Sequence, residues 1–163
     1  MTKIKLRKLK ESDAEDMYTH VKEKEVSRWM LRIPHPYKLS DAKQFIQKVQ
    51  ERKNEYTFGI VLQETNELVG VLTLRNIDNT HKNVELAYWL GKQFWNQGIM
   101  TEAIKQIVSF AKNKLKMHRI YATAFETNKA SQRVLEKNGF VKEGLIRDKF
   151  FKDNKWHNAY LYA

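Results

Sequence analysis

The chain has 163 residues, enough for one domain (1–163) with a sizeable core. Apolar residues make up 42%, charged residues 30% and aromatic residues 12%, which excludes an intrinsically disordered chain. The absence of Cys excludes disulfides, thiolate metal sites and a cysteine nucleophile together, and the formal net charge of +11 suggests an acidic partner.

The basic start, MTKIKLRKLK, lacks the apolar stretch of a signal peptide, and no later run has the about 18 apolar residues that would suggest a membrane span, so cytosolic residence is expected. Residues 4–9 (IKLRKL) alternate apolar and basic, as a half-buried strand does. Ser12-Asp13-Ala14-Glu15 has the spacing of a capping box and opens a helix of about ten residues. Residues 29–41 carry both prolines and read as a loop. Ser40 or Asp41 caps a second helix, with Phe45, Ile46 and Val49 on one face, ending near Asn54. Three strand-like runs follow, 56–63, 68–77 and 84–90, joined by short polar links that indicate an antiparallel meander. Ala103, Ile104, Ile107, Val108, Ala111 and Leu115 then recur at helical spacing. RIYATAF (119–125) reads as a strand, and 128–138 as a short helix closed by Asn138-Gly139. Residues 140–151 and 157–162 form a closing hairpin across Asp153-Asn154. The order β-α-α-β-β-β-α-β-α-β-β gives an α/β (α+β) fold, a mixed sheet with helices packed against it.

Charge is uneven along the chain. Residues 54–100 hold three basic residues (Arg75, Lys82, Lys92) against five acidic ones (Glu55, Glu64, Glu67, Asp78, Glu85), which leaves +13 on the flanks. The basic residues scatter along helix-like segments, which fits either solvated faces or a patch for a phosphorylated ligand or RNA. They are not interleaved with aromatic residues, so direct nucleic-acid binding is not expected as the main role.

The stretch FWNQGIMTEAI (94–104) joins the strand VELAYWL to a helix through Asn96, Gln97 and Gly98. A Gly before the first turn lets a ligand approach the backbone, and a helix N-terminus offers unpaired N–H groups and a partial positive charge that suit a pyrophosphate. Neither GxxxxGK[ST] nor GxGxxG is present, so nucleotide hydrolysis and dinucleotide binding are not indicated. About thirty residues on, ETNKASQRVLEKNGF (126–140) supplies a second motif, N-x-x-S-x-x-V-L-E-K-x-G-F.

Together the two motifs closely resemble the GNAT N-acetyltransferase superfamily, in particular the branch of ribosomal-protein N-terminal alanine or serine acetyltransferases. LRKLKESDAEDMY, IPHPYKLSDAKQFI and the closing KWHNAYLYA extend the resemblance over nearly the whole chain. The resemblance implies a GNAT-like, mostly antiparallel sheet whose central parallel strands, 84–90 and 119–125, splay apart around acetyl-CoA. It implies that the pantetheine arm pairs with the backbone of Tyr88, Trp89 and Leu90, and that backbone N–H groups of Gln97, Gly98, Ile99, Met100 and Thr101 cradle the pyrophosphate. Thr101 adds a hydroxyl, and Asn128 holds the pantetheine or phosphate from the opposite side. The family's fingerprint ends on a small residue where this chain has Met100; only backbone is needed there.

Many relatives supply an acid to the leaving thiolate from a tyrosine that maps to Leu135, so that acid is missing here. The resemblance points to Ser131 in its place, against the plainer reading of a Ser that satisfies a helix N–H. The glutamate that relatives often place on the penultimate strand is also missing, with Lys149 and Phe150 standing there. Glu85 and Glu126 remain as candidate bases, Glu85 also being readable as a sheet charge. No histidine spacing suggests a metal site, and His35 is the histidine expected to line an acceptor pocket. An α-amine loses its proton near pH 8 and a lysine near 10.4, so a site without a dedicated carboxylate suits an α-amine.

The leading expectation is therefore an acetyl-CoA-dependent N-acetyltransferase acting on a protein or peptide N-terminus. Acetylation of a small amine and a non-catalytic acetyl-CoA-binding module are the alternatives. A homodimer is left open.

Overall fold

The computed structural model describes residues 2–163. Its elements, in chain order, are β1 (Ile4–Arg7), α1 (Ala14–Val21), α2 (Lys24–Ser27), α3 (Leu39–Glu51), β2 (Tyr56–Leu62), β3 (Leu68–Asp78), β4 (Asn83–Leu90), α4 (Ile99–Asn113), β5 (Arg119–Phe125), α5 (Lys129–Lys137), β6 (Lys142–Lys152) and β7 (Lys155–Tyr162). The seven strands form one sheet in the order β1-β2-β3-β4-β5-β7-β6. Every neighbouring pair is antiparallel except β4 and β5. The mixed, mostly antiparallel α/β architecture expected from the sequence is the one observed.

Alternation along the strands divides the core into two layers. Val84, Leu86 and Leu90 of β4, with Leu72 and Leu74 of β3, pack against Ile104, Ile107 and Ala111 of α4 and Leu135 of α5. On the opposite face Val61, Leu68 and Val71 meet Met17 and Val21 of α1 and Ala42 and Ile46 of α3. Leu115, placed by periodicity on the α4 face, lies just beyond that helix and still packs against the same core. The hairpin turn is tight because Asp153 and Asn154 take φ of 53° and 61°, two consecutive left-handed residues whose twist matches paired strands. The four-residue α2 was not expected, since KEVS is too short to display a period.

The first helix differs from its expected start. Ser12 is not its cap: a single 3-10 turn (Glu11–Asp13) precedes α1, and the Asp13 carboxylate accepts the Lys10 backbone N–H at 2.7 Å. Arg7 on β1 grips the same carboxylate with two hydrogen bonds of 2.8 Å, and Asp13 is only 3% exposed. Asp41 behaves likewise at α3, accepting the Lys38 N–H at 2.8 Å from inside the first turn. Burial alone would raise the Asp13 carboxyl, but the Arg7 and Lys10 hydrogen bonds outweigh it and hold it below the ordinary carboxylate value. A carboxyl whose folded pKa is depressed stabilises the fold above its unfolded pKa, about 3.9, and loses that contribution as pH falls through the lower folded value. Asp13→Asn is therefore expected to cost about 3 kcal/mol at pH 7, since it strips the partner from a largely buried guanidinium pair. As pH falls below the unfolded value of about 3.9, the two proteins should melt at converging temperatures. A melting-temperature series against pH checks this; a constant gap from pH 7 to pH 3 would contradict it.

Candidate active site

β4 and β5 pair only at Asn83–Arg119, Val84–Ile120 and Glu85–Tyr121. From Leu86 onward β4 has no partner on its β5 side, while β5 goes on to pair with β7 from Ala122 to Phe125. The strands therefore separate after three pairs, and the gap opens toward the N-termini of α4 and α5, which follow these two strands. Beyond the gap, Leu90 accepts a hydrogen bond from the Trp95 indole N–H at 2.8 Å, which ties the end of β4 to the following turn.

That turn has an alternating conformation. Asn96 and Gly98 take φ of 59° and 76°, so the backbone N–H groups around them turn toward a common side, as in an anion-binding concavity. The first helical bond of α4 is Glu102 N–H to Gly98 C=O. The N–H groups of Ile99, Met100 and Thr101 precede it and have no acceptor among the described residues. A Cβ placed on Gly98 would meet no atom within 4 Å, so the space above the turn is open. Ile99 and Met100 bury their side chains in the core at 2% and 8% exposure. The Met100 departure from the family pattern thus removes nothing from the ligand-facing backbone. Thr101 is half-buried, and Gln97 is exposed, its amide donating to the Gln93 carbonyl at 2.9 Å. Free donors, a left-handed Gly and an unpaired strand edge fit an extended thioester with a pyrophosphate at one end.

Across the gap, Asn128 caps α5 by accepting the Ser131 N–H at 3.2 Å. Ser131 therefore receives a capping bond and does not make one. Its Oγ lies 2.6 Å from the Tyr88 hydroxyl, a contact between β4 and the first turn of α5. Tyr88 alternates with Val84, Leu86 and Leu90 on one face, which was legible, but nothing local in the sequence announces that Ser131 stands opposite it. Leu135, where relatives place a tyrosine, is fully buried. Trp89 points to the other face and packs with the α1 and α3 core.

The two carboxylates near the gap are both engaged. Glu85 accepts Arg75 Nε and Nη2 on one oxygen at 3.0 and 2.9 Å, and Asn76 Nδ2 on the other at 3.2 Å. Glu126 accepts Asn158 Nδ2 at 3.0 Å and so turns toward β7. It lines a cleft of about 270 Å³ with Thr127, Asp148, Trp156 and His157.

An aromatic wall that the sequence reading missed stands beside this cleft. Phe125 packs on Trp29, Phe150 and His157, with ring centroids 5.5, 5.0 and 5.4 Å away. His35, the expected acceptor-side histidine, is exposed in its loop, whereas His157 belongs to the wall. Lys152 closes the corner: its ammonium donates to the backbone carbonyls of Ser27, at 2.8 Å, and of Met30, which joins the hairpin to the segment after α2. Burial lowers its pKa.

Residues 3–141 match the family model of the acetyltransferase (GNAT) domain. A Bacillus subtilis protein named "Probable N-acetyltransferase YjcK" is 35% identical over 138 residues, covering 82% of this chain and 76% of that protein. The ribosomal-protein-serine acetyltransferase of Escherichia coli is 25% identical over 131 residues, covering 74% of this chain and 73% of that protein. Among solved structures, a GNAT-family acetyltransferase from Bacillus anthracis superposes with a TM-score of 0.86 at 25% identity, covering 99% of this chain and 95% of that one. A strand pair that parts after three rungs, a turn with free amides and a match over most of the sequence agree: the chain belongs to the GNAT acetyltransferase family and is an acetyl-CoA-dependent N-acetyltransferase.

Proposed function

We propose that the acceptor is the α-amine of a protein N-terminus, of the kind its ribosomal-protein-serine acetyltransferase relative is named for. The observation that carries this reading is the commitment of both nearby carboxylates, Glu85 to Arg75 and Asn76, and Glu126 to Asn158. With both of these tied, the reading has the acceptor arrive as a neutral amine. At pH 7.5 roughly a quarter of an α-amine is neutral, against about one lysine-type amine in a thousand. That difference of about two orders of magnitude favours the N-terminus.

In this reading the unpaired edge of β4 at Tyr88, Trp89 and Leu90 holds the pantetheine arm as an added strand. The amides of Gln97 to Thr101 hold the pyrophosphate, and the Thr101 hydroxyl assists. Asn128 has its carbonyl oxygen on the Ser131 N–H, so it has its amide donor to offer the ligand. Acetyl-CoA supplies the activated acetyl group and its thiol leaves. Ser131 lies at the gap and stabilises that departing sulfur by hydrogen bonding. Glu85 holds Arg75 and the β3–β4 pairing, with water receiving the amine's proton.

The rate with an N-terminal peptide should rise through about pH 8, while lysine-type amines stay poor below about pH 9. Glu85→Gln should leave this profile in place; were Glu85 the base, it should flatten the profile and cost roughly 10²–10⁴-fold. A thiol-release assay across pH, with a peptide panel and polyamines, measures both. A small cationic amine is the competing acceptor, favoured by Glu126 and Asp148 in the cleft. Polyamine turnover faster than peptide turnover at pH 7.5 would establish it instead.

A further inference from the structure

We infer that Tyr88 is a positioning residue: its hydroxyl donates to Ser131 Oγ and thereby directs the Ser131 proton into the gap between β4 and β5, toward the departing sulfur. The inference rests on the reading of Ser131 above and adds to it the residue that gives Ser131 its direction.

The two hydroxyls lie 2.6 Å apart, so one of them donates to the other. A phenol is a much stronger donor than an aliphatic alcohol, and desolvation raises the Tyr88 pKa further, so it keeps its proton at any working pH. The Tyr88 hydroxyl also lies 3.4 Å from the Ser131 backbone carbonyl, a much longer contact than the 2.6 Å to Oγ, so its proton goes to Oγ and Ser131 accepts. A serine hydroxyl has a single proton, and Ser131 has no protein acceptor for it other than Tyr88 among the described residues. Its backbone cannot swing away, because Asn128 Oδ1 holds the Ser131 N–H at 3.2 Å. Tyr88 is equally fixed, because β4 remains paired with β3 there, Tyr88 opposite Leu72, three residues beyond the last β4–β5 pair at Glu85. A hydroxyl that accepts one strong hydrogen bond is itself polarised into a better donor. The pair makes no covalent bond and loses no proton: the thiol gains, through solvent, the proton that the amine loses in becoming an amide.

The test is a double-mutant cycle on the full chain, with peptide acceptor and acetyl-CoA, reading kcat, both KM values, CoA affinity and melting temperature. Ser131→Ala should lower kcat on the order of 10²-fold. Tyr88→Phe keeps the ring and removes the donor, and should lower kcat about tenfold while CoA affinity, both KM values and melting temperature stay near those of the unsubstituted chain. The double variant should match Ser131→Ala, because Tyr88 acts only through that hydroxyl. Losses that multiply would overturn the inference, since Tyr88 would then act independently of Ser131. So would an unchanged kcat in Tyr88→Phe beside a lowered one in Ser131→Ala, which would leave the role of Ser131 standing. An unchanged kcat in Ser131→Ala would remove both. A Tyr88→Phe loss that appears in KM or melting temperature and spares kcat would reduce Tyr88 to a packing residue.

Discussion

Acetyl-CoA is expected to leave the melting temperature of Gly98→Val unchanged. The unsubstituted chain should gain about 2.7 kcal/mol at a ligand concentration of a hundred times Kd, or roughly 8 °C at about 3 °C per kcal/mol. Two causes act together. Gly98 sits at φ +76°, where a β-branched residue is strained, at a cost of about 1–2 kcal/mol to the free protein. The added carbons would also occupy the open space above the turn, where no protein atom lies within 4 Å. The substitution therefore meets the ligand and not the protein, and the variant should fold, melting a few degrees lower. Calorimetric or fluorescence melting with and without acetyl-CoA, beside a direct Kd, decides the matter. A folded Gly98→Val with ordinary affinity would remove the turn from the binding site.

Gly70→Ala should be strongly destabilising. A Cβ there would stand 2.5 Å from the Trp89 carbonyl oxygen, a backbone atom of the neighbouring strand, and 3.1 Å from Ile60 and Leu90 side chains. Side chains can turn aside, but a carbonyl in the β3–β4 ladder moves only with its strand. Gly70 pairs with Leu90, so the displacement falls on the end of β4 that we propose holds the cosubstrate. We expect a loss of about 3 kcal/mol, at the upper end of ordinary overpacking. This corresponds to a fall of roughly 10 °C in melting temperature. Acetyl-CoA affinity should weaken as well. Unchanged melting would mean that β3 and β4 part more easily than the ladder implies.

Much of this architecture was legible because its signals are local. The alternation of VELAYWL, the period of Ala103, Ile104, Ile107 and Ala111, and the Asp153-Asn154 turn each encode their element within a few residues. The Gly98 turn was legible for the same reason. What escaped depends on side-chain pairings that no hydrophobic period or turn signal reports. The Arg7–Asp13 grip replaces a capping serine that looked adequate, because a carboxylate shared between a guanidinium and a backbone amide binds more strongly than a hydroxyl. Arg75 and Asn76 turn Glu85 from a candidate base into a tied carboxylate. The contact of Tyr88 with Ser131 crosses 43 residues and appears only when β4 and α5 face each other. Phe150, noted only as the absence of a glutamate, packs on Phe125 in the aromatic wall.

The Lys152 ammonium is held by two peptide carbonyls, those of Ser27 and Met30, and by no side chain of the segment it anchors. Peptide carbonyls are present whatever residues occupy 27 and 30. The exposed residues between 28 and 38 can therefore be rewritten without loss of this attachment, while Trp29, Met30, Ile33 and Tyr37, which pack on the rest of the protein, are kept. Diversification of the exposed residues between 28 and 38 should accordingly leave the loop in place when Lys152 is kept, whereas loss of the Lys152 ammonium would loosen it even with every loop residue unchanged.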